Sequence, residues 1–150
     1  MSVKAIPALV VLDASFVLRY VLHTEAPRPH ANGLASLKGC QLLVPWLWSS
    51  EIANALIQAE RRGAASPARV GQALTLIMAL NPMVDIQHVG ISRNLELARA
   101  YRLSSYDALY FELALRRKAA LATYDHEMQA AAPVAGLRLY PDPATAGKPT

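Results

Sequence analysis

The chain has 150 residues, 53% of them hydrophobic and 17% charged, which excludes a disordered polymer and gives one globular domain enough material for a sizeable core. No apolar run reaches the roughly 18 uncharged residues that span a bilayer, and the N-terminus lacks the basic start, apolar stretch and cleavage site of a leader, so a soluble cytoplasmic domain without a membrane partner is expected. Lys and Arg number 15 against 11 Asp and Glu, a formal charge of +4 that favours an anionic partner such as nucleic acid, and the single Cys40 excludes an internal disulfide and a thiolate zinc site.

ALVVLDAS at 8–15 is a short β-branched run ending in an acid, and FVLRYVL follows at helical spacing, so a buried strand feeds a helix. Pro27 and Pro29 interrupt the chain before a short helix around Ala31–Leu37; Gly39 then leads to the strand QLLV at 41–44, closed by Pro45. Ile52, Ala55, Leu56 and Ala59 mark an amphipathic helix from Leu47 to Arg62, stopped by Gly63. Ser66 and Pro67 supply the cap and first-turn proline of another helix ending near Leu80.

A strand near Met83–Gln87, a helix over Ser92–Tyr101 and a helix over Ser105–Lys118 come next. AALAT at 119–123, a short helix from His126 to Ala132 and a last strand LRLY at 137–140 complete the set. Apolar strands alternating with helices predict an α/β fold with a parallel sheet covered on both faces. One domain is expected over 1–143, with a flexible tail at 144–150.

In open parallel sheets, ligands bind beyond the carboxyl ends of the strands, near the point where strand order reverses. Asp13 ends the first strand and Asp125 follows ALAT by two residues. Glu51 lies early in the helix after QLLV, and Asp107 lies in the first turn of the helix that feeds ALAT. Asp13 and Asp125 each have an alternative role as a helix cap, and Glu51 shares a face with Asn54 and Gln58 that could be a solvated stripe.

Asp107 is the exception. Leu103, Tyr110, Phe111 and Ala114 share its helix face, and an unpaired carboxylate among apolar residues needs a partner, a shifted pKa or a metal. By contrast, Glu112 and Arg116 are spaced as an exposed ion pair, and Glu60, Glu96 and Glu127 read as solvent-facing charges.

Four carboxylates at one sheet edge repel one another unless protonated or neutralised by cations. An all-oxygen donor set without cysteine or a histidine pair suits Mg²⁺ or Mn²⁺. His23, His30, His88 and His126 have no metal-ligand spacing and read as surface or supporting residues. The chemistry that uses such a set is phosphodiester hydrolysis, in which bound divalent ions activate water and neutralise phosphate charge.

VLDAS at 11–15, SSEIANAL at 49–56, SSYDALYFELAL at 104–115 and LATYD at 121–125 resemble, in order, the four signature regions of PIN-domain ribonucleases, specifically the VapC-type toxins of bacterial toxin–antitoxin pairs. The resemblance spans residues 8–140. It implies a PIN-like three-layer sandwich, a central parallel β-sheet flanked by helices, and Mg²⁺- or Mn²⁺-dependent cleavage of single-stranded regions of tRNA, rRNA or mRNA. A homodimer inhibited by a cognate VapB-type antitoxin is also implied.

By the same resemblance Asp13, Glu51, Asp107 and Asp125 are the catalytic and metal-binding acids, Ser15 and Thr123 the hydroxyls that support them, and Asn54 the asparagine three residues after the glutamate. The chain departs from many such toxins after the fourth acid, where His126, Glu127 and Met128 replace basic residues. Arg19 and the Arg61–Arg62 pair are candidates for RNA phosphate contacts; Trp46 and Trp48 suit stacking on bases, or core and dimer packing.

Two other readings compete. A PIN-like binding module could keep the fold without catalysis. Another Mg²⁺-dependent α/β phosphohydrolase or a phosphoacceptor domain fits less well: the phosphatase pattern wants an aspartate where Ser15 stands, and the phosphoacceptor pattern a lysine where Thr123 stands.

Overall fold

The computed structural model describes residues 8–22 and 33–143. The expected break at Pro27 and Pro29, the helix start at Ala31, His23, His30 and the expected tail at 144–150 lie outside the described residues.

Strand β1 (Leu9–Leu12) leads into α1 (Ala14–Leu22), and a short α2 (Gly33–Ser36) precedes β2 (Gln41–Pro45). Helices α3 (Trp48–Arg61) and α4 (Pro67–Leu80) separate β2 from β3 (Met83–Asp85). Then α5 (Ile91–Tyr101), α6 (Ser105–Arg117), β4 (Ala120–Ala122) and α7 (His126–Val134) follow.

The four strands form one parallel sheet in the order β3-β2-β1-β4. Val10, Val11 and Leu12 are wholly buried, as a central strand covered on both faces requires. Helices α1 to α4 pack together, and α5 and α7 each pack on α6, which lies across β1, β2 and β4. Phe16, Tyr110, Phe111, Leu113 and Met128 fill the interior, each large apolar side chain contributing about 1.5–3 kcal/mol.

Local chemistry sets the ends. The Ser66 hydroxyl accepts from the Arg69 amide at 3.1 Å with Pro67 in the first turn of α4, and Gly63 takes a φ of +69° to end α3. β3 stops at Asp85 rather than running to Gln87, because the Asp85 carboxylate accepts the Gln87 amide at 3.0 Å and turns the chain.

The expected last strand at 137–140 does not form. Only one parallel bridge joins Leu121 to Leu139, with Leu121 N donating to Arg138 O and Tyr140 N to Leu121 O, both at 2.9 Å. Backbone groups alternate sides along a strand. In the three-residue β4, Ala122 O faces inward to the Asp13 amide, and Leu121 alone faces outward.

The Glu112–Arg116 pair exists but is not the exposed pair expected. Glu112 is buried, and Arg116 also donates to Asp85 at 3.0 and 3.1 Å and to Gln87 at 3.1 Å, tying α6 to the end of β3. The missing signal was tertiary: Asp85 is 31 residues away.

Candidate active site

Strands β1, β2 and β3 progress one way across the sheet and β4 lies on the other side of β1, so the order reverses between β1 and β4. In open parallel sheets the ligand site lies beyond the carboxyl ends of two such strands. Asp13 follows β1 and Thr123 to Asp125 follow β4, one on each side of it.

Asp13 is 3% exposed. Its carboxylate does not cap α1. Instead Oδ2 accepts from the Ser15 hydroxyl and, at 2.7 Å, from the Thr123 hydroxyl, while Ser15 Oγ accepts the Tyr124 amide at 3.1 Å. These bonds staple the two strand ends together and fix one carboxylate oxygen. Burial pushes the Asp13 carboxyl up to about 6; the Ser15 and Thr123 hydroxyls oppose the rise and the charges of Asp107 and Asp125 add to it.

Glu51 sits in the first turn of α3 and is pushed up to about 7 by burial, with the Asp13 and Asp107 charges adding and the Tyr110 hydroxyl opposing. Its Oε1 and the Tyr110 hydroxyl are both buried without a well-formed hydrogen bond among the described residues. The solvated-stripe reading of its face therefore holds for Asn54, which is exposed, and fails for Glu51.

Asp107 occupies the first turn of α6, where the Ser104 hydroxyl accepts its amide at 3.0 Å. Leu103, Tyr110, Phe111 and Ala114 beside it are buried, as its helical spacing requires. Its carboxyl is raised by burial, against the Ser104 hydroxyl, and further raised by Asp125 and Glu127. Asp125 does cap α7, accepting the Met128 amide on Oδ1 at 2.8 Å, and its own amide donates to Thr123 Oγ1 at 3.0 Å. One of its oxygens is thereby spent on the backbone.

Ligand atoms of Asp107, Asp125 and Glu127 all lie within 4.8 Å of one another. Glu127, expected to be a solvent-facing charge, is exposed yet belongs to this group, because the cap at Asp125 starts α7 so that its first turn overhangs Asp107. Its position two residues after a capping acid was the available signal. Beside it a groove of about 600 Å³ runs between α5 and α7, lined by Tyr101, Arg102, Ala130 and Val134.

The protein family model that describes the PIN domain matches residues 10–133, most of the chain. The chain belongs to the PIN-domain family. Among solved structures, this PIN domain is similar to PAE2754 from Pyrobaculum aerophilum, at 21% identity and a TM-score of 0.63 over 85% of this chain and 83% of that one.

It is also similar to Mycobacterium tuberculosis VapC20, a sarcin–ricin loop cleaving toxin, at 17% identity and a TM-score of 0.54 over 81% and 94% of the two chains. VapBC2 from Rickettsia felis, bound to a DNA fragment from its promoter, matches at 13% identity and a TM-score of 0.54 over 82% and 92%. These likenesses are of fold. No curated protein matches by sequence.

The PIN-domain acids suit a hard divalent cation. Every donor is a carboxylate oxygen, and among the described residues Glu51 Oε1 is buried without a well-formed hydrogen bond and no Lys or Arg forms an ion pair with any of the five acids. The candidate RNA contacts divide. Arg19 is exposed on α1, its guanidinium 4.8 Å from the Tyr124 ring centre, whereas Arg61 and Arg62 close α3 ten residues or more after Glu51, about 15 Å along the axis.

The tryptophans divide too. Trp46 is exposed and Trp48 buried. Cys40 is half-buried, its thiol directed at Ser36 O, and His88 and His126 are exposed.

Proposed function

We propose that this PIN domain is a cytoplasmic Mg²⁺- or Mn²⁺-dependent endoribonuclease of the VapC toxin type, hydrolysing phosphodiesters in single-stranded RNA and held in check by a VapB-type antitoxin. The observation that carries the reading is that the charges of Asp13, Glu51, Asp107 and Asp125 act on one another beyond the strand ends, with no ion pair to a Lys or Arg among the described residues. Such a cluster is held together only at a cost unless a cation binds.

In this reading the four acids, with Glu127, hold the ion, and Ser15 and Thr123 keep Asp13 in place. The bound ion supplies Lewis acidity toward a phosphodiester. Asp13, with one oxygen fixed by two hydroxyls, is the rigid anchor; Glu51, half-buried and raised to about 7, is poised to exchange protons near neutral pH when the ion is absent. Of the candidate phosphate contacts, the exposed Arg19 on α1 lies on the side of the acids and is the one offered to RNA beside them, while Arg61 and Arg62 lie at the far end of α3.

Support for the substrate and partner comes from relatives in fold, one a sarcin–ricin loop cleaving toxin and another a VapBC pair bound to a DNA fragment from its promoter. A homodimer is favoured by the sheet edge, where Met83, Val84 and Ile86 of β3 and its continuation, and Ile91 just after, are exposed.

Purified protein free of any antitoxin, incubated with a mixed RNA pool in Mg²⁺ or Mn²⁺, should cut at a few sites. EDTA and Asp13→Ala should each abolish the cuts, mapped by sequencing the ends. Absence of both cleavage and Mn²⁺ binding would overturn the reading in favour of a PIN-like binding module.

A further inference from the structure

Tyr124 stands between the two residues of its segment that serve the acids, Thr123 and Asp125, and its side chain serves something else. Its ring stacks on the buried Phe16, with centres 4.9 Å apart and planes 6° from parallel, and its hydroxyl lies 2.9 Å from the Tyr20 hydroxyl. Its amide is tied to Ser15 Oγ at 3.1 Å. Ring and backbone are thus both fixed from α1, through residues 15, 16 and 20.

Against this fixed ring rests Arg19, with its guanidinium carbon 4.8 Å from the ring centre. Arg19 follows Ser15 by four residues, so the two share one face of α1 about one turn apart. Ser15 holds the Asp13 carboxylate. A long, exposed cation ordinarily samples many rotamers at an entropic cost to any ligand it must bind. Cation–π contact with a ring that cannot move reduces that freedom while leaving the guanidinium donors available to an anion.

We propose that Tyr124 is a positioning residue that holds Arg19 about one helical turn from the Asp13–Ser15 pair, where its guanidinium receives a phosphate flanking the one at the acids on a single-stranded RNA. The proposal rests on the nuclease reading. It gives the crevice a direction: the strand runs from the acids along the α1 side of the sheet, over Tyr124, rather than toward Arg61 and Arg62 at the far end of α3.

The test is binding of a fluorescein-labelled, mixed-sequence single-stranded RNA in Mn²⁺, read by anisotropy from 50 to 200 mM salt in a cleavage-dead Asp13→Asn background. Arg19→Gln should weaken binding about fivefold to tenfold and lower the log–log salt slope by about 1. Tyr124→Leu should do the same, the double variant should be no weaker than Arg19→Gln alone, and Tyr124→Phe, which keeps the ring, should keep the full slope.

Additive losses in the double variant, or a full slope in Arg19→Gln, would overturn the proposal while leaving the nuclease reading in place. If Tyr124→Leu fails to fold, Tyr124→Met, which fills the space without a ring, takes its place with the same expected result, and a reduced slope in Tyr124→Phe or an unchanged one in Arg19→Gln is equally fatal. RNA cleavage, mapped in parallel with the active parent, separates the two readings: no RNA binding, no Mn²⁺-induced thermal shift and no cleavage sinks both.

Discussion

Asp13 and Glu51 pull the protein's stability in a direction that can be measured without any RNA. Their native pKa values lie above the ordinary ones, about 6 against 3.8 and about 7 against 4.5, so between these limits the native state holds protons that the unfolded chain has released. Stability must then fall as pH rises through that window. Metal-free protein should melt several degrees lower at pH 7 than at pH 4.5, and saturating Mn²⁺ should abolish the decline. Scanning calorimetry checks it; a metal-free protein that gains stability over this range would contradict the shared burial of the acids.

Asp107→Asn and Glu127→Gln extend the argument to single residues. Asp107→Asn should leave the metal-free fold intact or slightly steadier, since it removes a charge raised by burial and by two neighbouring carboxylates. Severe destabilisation would make the residue structural. Glu127→Gln should weaken Mn²⁺ binding about tenfold by calorimetric titration, whereas Glu60→Gln, in the second half of α3, should not.

Helix α6 does two jobs at its two ends. Its first turn, capped by Ser104, presents Asp107 to the crevice, and its last turn carries Arg116 into Glu112, Asp85 and Gln87. The middle, Tyr110 to Ala114, is core. Arg116 holds the Asp85 carboxyl below its ordinary range, chiefly by hydrogen bonding, so this contribution is present above about pH 4 and lost as pH falls further. Arg116→Ala should lower stability by about 2–3 kcal/mol in urea, because it strands the buried Glu112 as well as freeing Asp85. A loss under 0.5 kcal/mol would reduce the network to surface decoration.

At the scale of the molecule, the sheet has a closed and an open side. The outer edge of β4 meets Arg138 and Tyr140, while β3 and the residues just after it expose Met83, Val84, Ile86 and Ile91. If that edge is the homodimer contact, Ile86→Glu with Ile91→Glu should convert a species of twice 16.3 kDa into one of 16.3 kDa by light scattering. All five acids come from one chain, so the monomeric variant should keep its Mn²⁺-induced stabilisation. A wild-type protein already at 16.3 kDa would end the dimer proposal.

The order of the helices and of the first four strands, the capping residue Ser66 and the acids at strand ends were legible in the chain because each depends on neighbours within one or two helical turns: β-branched runs, helical spacing, a hydroxyl three residues before the amide it accepts. Even the anomaly of Asp107 was local, an acid on a face shared with Leu103, Tyr110 and Phe111. What spacing left open was how far each strand ran and whom each charge met. Asp85 found Arg116 across 31 residues, Thr123 found Asp13 across 110, and Arg19 found the ring of Tyr124, none of which any periodicity encodes. Glu127 looked like any solvated helix charge until α7 and α6 were set side by side. Local pattern singled out Asp13, Glu51, Asp107 and Asp125 as candidates; tertiary packing decided their company, because electrostatics and burial act through space and not along the chain.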